Sequence, residues 1–343
     1  GHRNLATLAL QEGDAGAAAE GFERARDVSQ RLAEADPADR SLQIILADDL
    51  AWLAIAQERL GDFAEAERTL ATEAAIYAAL LARDPSDDAI LNRQSVNGRV
   101  AARIAMDVGD AEHGLAMLQA LFDLHESRLA HDSENTRWLD YYGLLQIETG
   151  SALLALGNHG AAREMADGAL AVARRLRSID DSVTDWAIDN HCGALLLAAR
   201  AAFAEGDERA ADAHLDEAEA VIMSVSAGKA PPGLDKPVIR TALMRARLAE
   251  RAGDSTAARH LAADAAAKID ALITKSGFEY KTVFIETYLL AGDMAKARAL
   301  AAVLDAVGYR HADWVTLRKQ VLRSQGGVET AARPIRQTSD RRY

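Results

Sequence analysis

The stretch LAWLAIAQERLGDFAEAERTL, residues 50–70, decides the fold. Its Gly61-Asp62 dipeptide separates two segments in which small and apolar residues recur at helical spacing, as Ala66 and Leu70 do after the turn. Glycine ends a helix readily because the left-handed backbone conformation costs it little, and the aspartate beside it can cap the following helix. The stretch therefore predicts two helices joined by a tight turn.

The same turn recurs at a fixed interval along the chain. Four Gly-Asp or Gly-Asn dipeptides lie 48 residues apart, three more follow at looser spacing, and a second column with Asp, twice followed by Pro, repeats in step. The two columns contain Gly13, Gly61, Gly109, Gly157, Gly206, Gly253 and Gly292, and Asp36-Pro37, Asp84-Pro85, Asp132 and Asp180. In the second column we expect Asp to cap a helix and Pro to occupy its first turn. Each unit is then two helices of about 20 residues, roughly 30 Å long.

Composition restricts the class of protein. Hydrophobic residues make up 49% of the 343 and charged residues 27%, which is not typical of a disordered chain. No apolar run is long enough to span a membrane, and the one cysteine, Cys192, cannot form an internal disulfide. The net charge of −13 argues against nucleic acid as a general partner, because phosphate binding needs an excess of Lys and Arg.

The repeat unit resembles the tetratricopeptide repeat. The resemblance covers roughly residues 1–308, with a period of 48 residues instead of the common 34, as in long-helix variants from bacterial multidomain signalling proteins. It is carried best by Leu53-Ala54, Gly61, Phe63, Ala66 and Leu70. It implies an all-α fold, a right-handed α-solenoid of about seven helix pairs followed by a C-terminal capping helix.

The organisation of the chain follows from the repeat and its interruptions. We predict repeats 1–5 over residues 1–226, a Pro/Gly loop over 227–237, repeats 6–7 with a capping helix over 238–325, and a polar basic tail over 326–343. We hypothesise that the tail lies on an acidic surface of the array; the alternative is an extended tail without such a contact. The helix pairs are predicted at 2–12/15–35, 38–60/63–83, 86–108/111–131, 134–156/159–178, 182–205/208–226, 234–252/255–275 and 277–291/294–308.

The resemblance also implies a concave groove, lined by the first helix of each pair at 13, 10 and 6 residues before the turn glycine. These positions hold Asp48, Ala51, Ile55, Val96, Arg99, Arg103, Leu144, Ile147, Ser151, Gly193, Leu196, Arg200, Arg240, Leu243 and Arg247. Trp138 and Trp186 occupy the same repeat position, 48 residues apart, and Tyr141 follows Trp138 by one helical turn. We expect these aromatic residues to anchor a bound peptide; the alternative is that they only pack between helices. The predicted partner-binding residues are Arg99, Arg103, Leu144, Ile147, Arg200, Arg240, Arg247 and Tyr141.

Arg99 and Arg103 lie four residues apart, on one helix face. Because the guanidinium fork matches a carboxylate or phosphate, we expect both to face the groove, with at least one open to solvent and meeting an acidic partner segment. The alternative is pairing within the chain, with acids such as Asp48, Asp140 or Glu250.

No catalytic motif is found. His125 and His131 are six residues apart, which does not place them on one helix face for zinc, and His191-Cys192 lacks partners at ligand spacing. Phosphate-binding loops and nucleophile elbows are also missing from the sequence. We therefore predict a chain that is not an enzyme and uses no cofactor and no metal.

These observations favour a cytoplasmic, protein- or peptide-binding scaffold or sensor segment of a larger bacterial protein, with no nucleic-acid partner and no membrane span. An alternative of another class is the regulatory half of an enzyme, a kinase or a Toll/interleukin-receptor-like effector, with its catalytic domain upstream. A third is an oligomerisation scaffold that self-associates through the N-terminal repeat, because the first helix, 2–12, is short beside its equivalents.

Overall fold

The computed structural model describes residues 1–183, 185–226 and 233–329, with side chains as far as residue 323. In these ranges all regular structure is helical, which confirms the all-α prediction. The helices are α1 (His2–Glu12), α2 (Ala15–Ala35), α3 (Arg40–Leu60), α4 (Phe63–Leu81), α5 (Asp88–Asp107), α6 (Ala111–His131), α7 (Thr136–Ala155), α8 (His159–Ile179), α9 (Gly193–Glu205), α10 (Glu208–Ser226), α11 (Asp235–Arg251), α12 (Ser255–Ile269), α13 (Phe278–Ala291), α14 (Met294–Ala306) and α15 (Ala312–Glu329).

The helices associate mainly with their neighbours along the chain. Seven pairs, from α1 with α2 to α13 with α14, stack in order, and α15 packs on α13 and α14. A single pair cannot bury its apolar face alone, so stacking builds the core from successive pairs. Small side chains such as Ala18, fully buried beside Phe22, permit close approach of the helices. The architecture is the predicted α-solenoid.

The turn glycines act as predicted. Gly61 has a φ of 85° and Gly109 a φ of 98°, both in the left-handed region that favours glycine. In the turn after α3, the N–H groups of Gly61 and Asp62 donate to the carbonyls of Glu58 and Gln57, so the helix ends with its last carbonyls satisfied.

The second column works differently from the prediction. Asp84 follows α4, and its carboxylate accepts the N–H of Ser86 at 3.0 Å, which tightens the turn. The cap of α5 is Asp87, whose carboxylate accepts the N–H of Ile90 at 3.2 Å. The equivalent caps are Asp39 for α3 and Asn135 for α7. The predicted capping role of Asp84 is therefore wrong, and Pro85 lies in the turn before the helix.

Two predicted boundaries also change. The loop predicted over 227–237 ends earlier, because α11 begins at Asp235 and holds Pro237 in its first turn, where the missing N–H is not needed. The capping helix runs to Glu329, four residues into the predicted tail. The rest of the predicted loop and tail lies outside the described residues, as does the hypothesised docking of the tail.

The helix predicted over 182–205 is not uniform. It contains a π-helical segment, Trp186–Cys192, immediately before α9. In this segment the Asn190 amide donates to Asp140 at 2.6 Å and lies so close to Gly143 that a Cβ there would come within 2.1 Å of the amide oxygen. Apolar spacing does not separate a π-turn from an α-turn over so few residues.

The last two repeats close back on the first three, a contact that the sequence analysis did not anticipate. The Arg310 N–H donates to the Asp107 carbonyl at 2.7 Å, and the ring centroids of Phe63 and Phe278 are 5.4 Å apart. Both rings belong to one buried cluster with residues of α5 and α15. In this contact, segments 270–277 and 307–311 meet the turns after α1, α3 and α5. We call this contact the closure.

Candidate binding cavity

A cavity of about 590 Å³ lies on the inner side of the solenoid. Its wall is formed by the first helices α5, α7, α9, α11 and α13, and by α15 with the segment before it. Because α5 belongs to the third helix pair and α15 follows the seventh, the closure brings the two sides of this wall together. This is also the side on which the tetratricopeptide resemblance places its groove.

Eleven of the fifteen groove positions from the sequence line this cavity. They are Arg99, Arg103, Leu144, Ile147, Ser151, Gly193, Leu196, Arg200, Arg240, Leu243 and Arg247. The other four, Asp48, Ala51, Ile55 and Val96, are not among the lining residues. Seven of the eight predicted partner-binding residues are thus brought together. The eighth, Tyr141, lies under Arg99, whose guanidinium carbon is 5.7 Å from the ring centroid.

Arg99 and Arg103 line the cavity but are not free. Arg99 donates two hydrogen bonds to Glu148, at 2.8 and 2.6 Å, and Arg103 donates two to Glu58, at 2.8 and 2.7 Å. Both arginines face the cavity as expected, and the Arg103 side chain is 34% exposed, whereas a contact with an acidic partner segment stays a prediction. Pairing within the chain, the alternative, is what the structure shows, although with acids other than those expected. In both pairs burial lowers the arginine pKa, and the neighbouring carboxylate more than restores it.

Arg247 is paired in the same way. Its guanidinium donates two hydrogen bonds to Glu286 of α13, the first helix that follows α11 in the stack. The carboxylate raises the pKa of Arg247 in spite of the opposing effect of burial. Three of the five cavity arginines are thus neutralised by a bidentate carboxylate from a neighbouring repeat, and these pairs tie successive first helices together.

Arg200 and Arg240 differ from these three. Arg200 approaches Asp313 at 3.6 Å, beyond hydrogen-bonding distance, and Arg240 stacks on the Tyr280 ring at 4.4 Å. Neither donates a hydrogen bond to any residue that the structure describes. Burial lowers the pKa of Arg200, and repulsion from Arg247 and Arg240 adds to the effect, so Asp313 only partly balances its charge.

Acidic groups complete the polar wall. Glu279 lines the cavity with one buried carboxylate oxygen, Oε2, that accepts no hydrogen bond within the described chain. Burial would raise its pKa, but the cations Arg103, Arg59 and Lys236 hold it below the usual value, so the group is ionised. The wall also contains Asp189, whose pKa burial raises. The cavity therefore has charges of both signs.

Several lining residues were missed by the sequence analysis. Counting 13, 10 and 6 residues back from Gly292 gives Glu279, Thr282 and Glu286, and all three line the cavity. The register therefore extends to the seventh repeat, and the signal was present in the sequence. Tyr309, His311 and Asp313 carry no such signal, because only the closure brings them to the wall.

Other chemistries have little support in the described part of the chain. No cluster of His, Cys, Asp and Glu there could hold a metal ion. Burial raises the pKa of the Cys192 thiol to about 12, and His125 is fully buried, with its ring 2.6 Å from the Ser95 hydroxyl. Among the same residues, no helix combines the length and apolar character that crossing a bilayer requires.

Comparisons with known proteins give similarity in solved structures only; no protein-family model and no curated protein sequence matches the chain. A tetratricopeptide repeat protein from Parabacteroides merdae is 15% identical, over 94% of this chain and 97% of its own, with a TM-score of 0.44. BtubC from P. vanneervenii is 13% identical, over 95% and 96%, with a TM-score of 0.31. Yeast Tom70 is 11% identical, over 97% and 90%, also at 0.31. The helix packing of this chain itself establishes an all-α, tetratricopeptide-like helical-repeat solenoid.

Proposed function

We propose that this chain binds a peptide segment of a protein partner in the inner cavity. The observation that carries the proposal is the convergence of eleven groove positions from four successive repeats on one cavity of about 590 Å³. This volume lies within the roughly 300–1,000 Å³ typical of ligand sites. It suits a short segment of a partner in preference to a folded domain.

The chemistry of the wall supports a peptide ligand. Leu144 and Ile147 of α7, Leu196 of α9 and Leu243 of α11 provide apolar surface for side chains. The charged groups between them provide a few fixed points for polar groups, as binding sites for amphipathic ligands require. Because a solenoid offers an extended concave surface on a rigid frame, little conformational entropy of the site is lost when a ligand binds.

In this proposal the chain is the sensing or scaffolding part of a larger bacterial signalling protein, and it is not itself an enzyme. The tetratricopeptide resemblance and its long repeat support this role. The alternative, a regulatory half of an enzyme, makes a different prediction: a kinase or Toll/interleukin-receptor-like domain would be encoded upstream, and a bound peptide would change its activity. The sequence encoded upstream of this chain distinguishes the two.

The test is to block the cavity without touching the outer surface. Random peptides displayed on phage are selected against the chain, and the affinities of enriched peptides are measured by fluorescence anisotropy. Ser151→Trp places a large side chain in the cavity, whereas Ser178→Trp makes the same change at an exposed position on α8 of the same repeat.

We expect Ser151→Trp to weaken binding at least tenfold and Ser178→Trp to leave it unchanged, with similar thermal melts for both. If no peptide is enriched, or if the two variants bind equally well, the cavity is not the binding site.

A further inference from the structure

The closure contains a buried acid that the described chain does not neutralise. Asp107 ends α5 and is 1% exposed, and neither of its carboxylate oxygens accepts a hydrogen bond within the described residues. Its backbone carbonyl accepts the Arg310 N–H across the closure, so the acid lies at the contact itself. An ionised carboxylate without hydrogen bonds is costly to bury, and such a group takes up a proton instead.

The charges that face Asp107 make its ionised form less favourable still. Glu58 at the end of α3 and Glu279 of α13 are both carboxylates, and Arg103 of α5 is the cation beside them. Arg103 already donates two hydrogen bonds to Glu58. The pKa of Asp107 is therefore raised well above its usual range, first by burial and then by the two carboxylates, with Arg103 opposing them.

The other polar groups at this contact are neutral or lie around Glu279. The Tyr309 hydroxyl, which the closing segment 307–311 brings to Asp107, is neutral and is itself buried without a hydrogen bond in the described chain. Arg310 directs its guanidinium to the Tyr309 carbonyl. Three more cations act on the Glu279 carboxylate: Arg59, Lys236 and Lys281. Asp107 thus fits the closed array best when it carries a proton.

The same contact forms part of the cavity wall. Tyr309 and Glu279 line the cavity on the closing side, and Arg103 lines it on the side of α5. The Tyr309 ring is anchored to the closing side by Phe278, with the ring centroids 5.7 Å apart. Separation of the two sides would therefore widen the cavity and expose Asp107 to water at the same time. In water an aspartate ionises near pH 4, so an open array releases the proton at any higher pH.

We propose that the closure is a latch on the cavity, held shut while Asp107 is protonated and released when it loses the proton. The proposal goes beyond the proposed function and does not depend on what the cavity binds. The closed form binds the proton more tightly than the open form does. The closure is therefore strongest below about pH 4 and weakens as the pH rises towards the raised pKa of the closed form. Because one proton is involved, the opening constant rises about tenfold per pH unit over that range.

Hydrogen exchange at the Arg310 N–H measures the opening, since this group donates across the closure at 2.7 Å. Protection factors are compared, because they remove the intrinsic pH dependence of exchange. The matched amide is the Asp254 N–H, which donates to the Ala249 carbonyl in the turn after α11, outside the closure. The chains are wild type, Asp107→Asn and, as a control, Glu73→Gln, which changes a different buried acid, on α4.

The pH range is chosen to separate Asp107 from its titrating neighbours. Measurements run from pH 6.5 to 7.5. His311, which stacks on Tyr309, has a pKa that burial lowers from 6.5, so it stays neutral over this range. Lys281 has a pKa that burial lowers to about 8, so most of it stays charged. The difference between wild type and Asp107→Asn then isolates the proton on Asp107.

We expect protection of Arg310 to fall about tenfold over this one pH unit in wild type and in Glu73→Gln. In Asp107→Asn, whose side chain is neutral at every pH, protection should change less than about twofold, as it should for Asp254 in each chain. The same pH dependence at Arg310 in wild type and Asp107→Asn would overturn the latch. So would a wild-type protection that does not change with pH, a result that needs no variant to fold.

A second measurement tests access to the cavity without any peptide. Ser151→Cys places a thiol in the cavity and Ser178→Cys places one on the exposed face of α8, while the native Cys192 is fully buried. The ratio of their labelling rates with fluorescein maleimide should rise about threefold or more from pH 6.5 to 7.5, but not when Asp107→Asn is also present. If exchange at Arg310 depends on Asp107 but this ratio is constant, the opening does not reach the cavity and the latch is wrong.

Discussion

The closure makes a quantitative prediction about two glycines that are equivalent in the repeat. Gly61 and Gly157 both end first helices with left-handed φ values, 85° and 81°. A Cβ at Gly61 would stand 2.5 Å from the Cβ of Val307, whereas a Cβ at Gly157 would meet nothing within 4 Å. Alanine at either position tests the turn, but only Gly61→Ala also tests the closure.

The expected magnitudes follow from the two costs. A left-handed conformation costs an alanine roughly 1–2 kcal/mol, and this applies to both variants. At Gly61 the clash involves a branched Cβ close to the backbone, which cannot simply swing away, and overpacking of this kind typically costs about 1–3 kcal/mol more. We therefore expect Gly61→Ala to lower the free energy of unfolding by about 2–5 kcal/mol and Gly157→Ala by about 1–2 kcal/mol.

Two measurements check this. Urea denaturation followed by circular dichroism gives the difference in the free energy of unfolding. Hydrogen exchange gives a local readout, because the Arg310 N–H donates to the Asp107 carbonyl across the closure. Exchange at Arg310 should accelerate in Gly61→Ala and not in Gly157→Ala. Equal costs for the two variants, with unchanged exchange at Arg310, would refute the closure.

Three further predictions concern pH and association. Burial raises the pKa of Glu73 to about 7 from 4.5, so the stability that this group contributes should be complete below pH 4.5 and fall by about 3 kcal/mol as the pH rises through 7; Glu73→Gln should remove that part of the pH dependence in urea titrations. Burial also raises the pKa of Asp107 well above its usual range, so Asp107→Asn should unfold less readily than wild type at alkaline pH, and a lower stability there would contradict the buried neutral acid. If the chain self-associates through its N-terminal repeat, the exposed Leu5 and Leu8 should form the contact. The double variant Leu5→Glu, Leu8→Glu should then sediment as a monomer in analytical ultracentrifugation where the wild type sediments as a dimer; a monomeric wild type would end that interpretation.

Most of the helical framework could be predicted because it depends on local chemistry. Glycine at Gly61 and its equivalents ends a helix wherever it occurs, and apolar spacing defines the buried face of each helix. The second column was misassigned because Asp84 and Asp87 can both act as caps, and the sequence alone does not show which one the helix uses. The π-turn at Trp186–Cys192 was missed because apolar spacing over seven residues does not separate a π-turn from an α-turn.

The sequence predicts which residues line the cavity, but not which of its arginines are paired with a carboxylate. Counting back from the turn glycines identifies the arginines of the wall, since a repeat places equivalent residues on equivalent faces. The same count does not reveal that Arg103 pairs with Glu58 while Arg240 stacks on Tyr280. Which guanidinium is paired depends on how side chains from different repeats approach each other. These residues are far apart in sequence, as Arg103 and Glu58 are, so no local pattern encodes the pairing.

The sequence by itself thus determined an all-helical solenoid with a period of 48 residues and an inner face that contains the arginines. Only the tertiary structure decided that the array closes on itself, that Asp313 and Tyr309 complete the cavity, and that Arg200 and Arg240 remain without a hydrogen-bonding partner in the described chain. The physical reason is the accumulation of small rotations between successive repeats. Each rotation is set by side-chain packing, and only their sum brings residue 307 against residue 61.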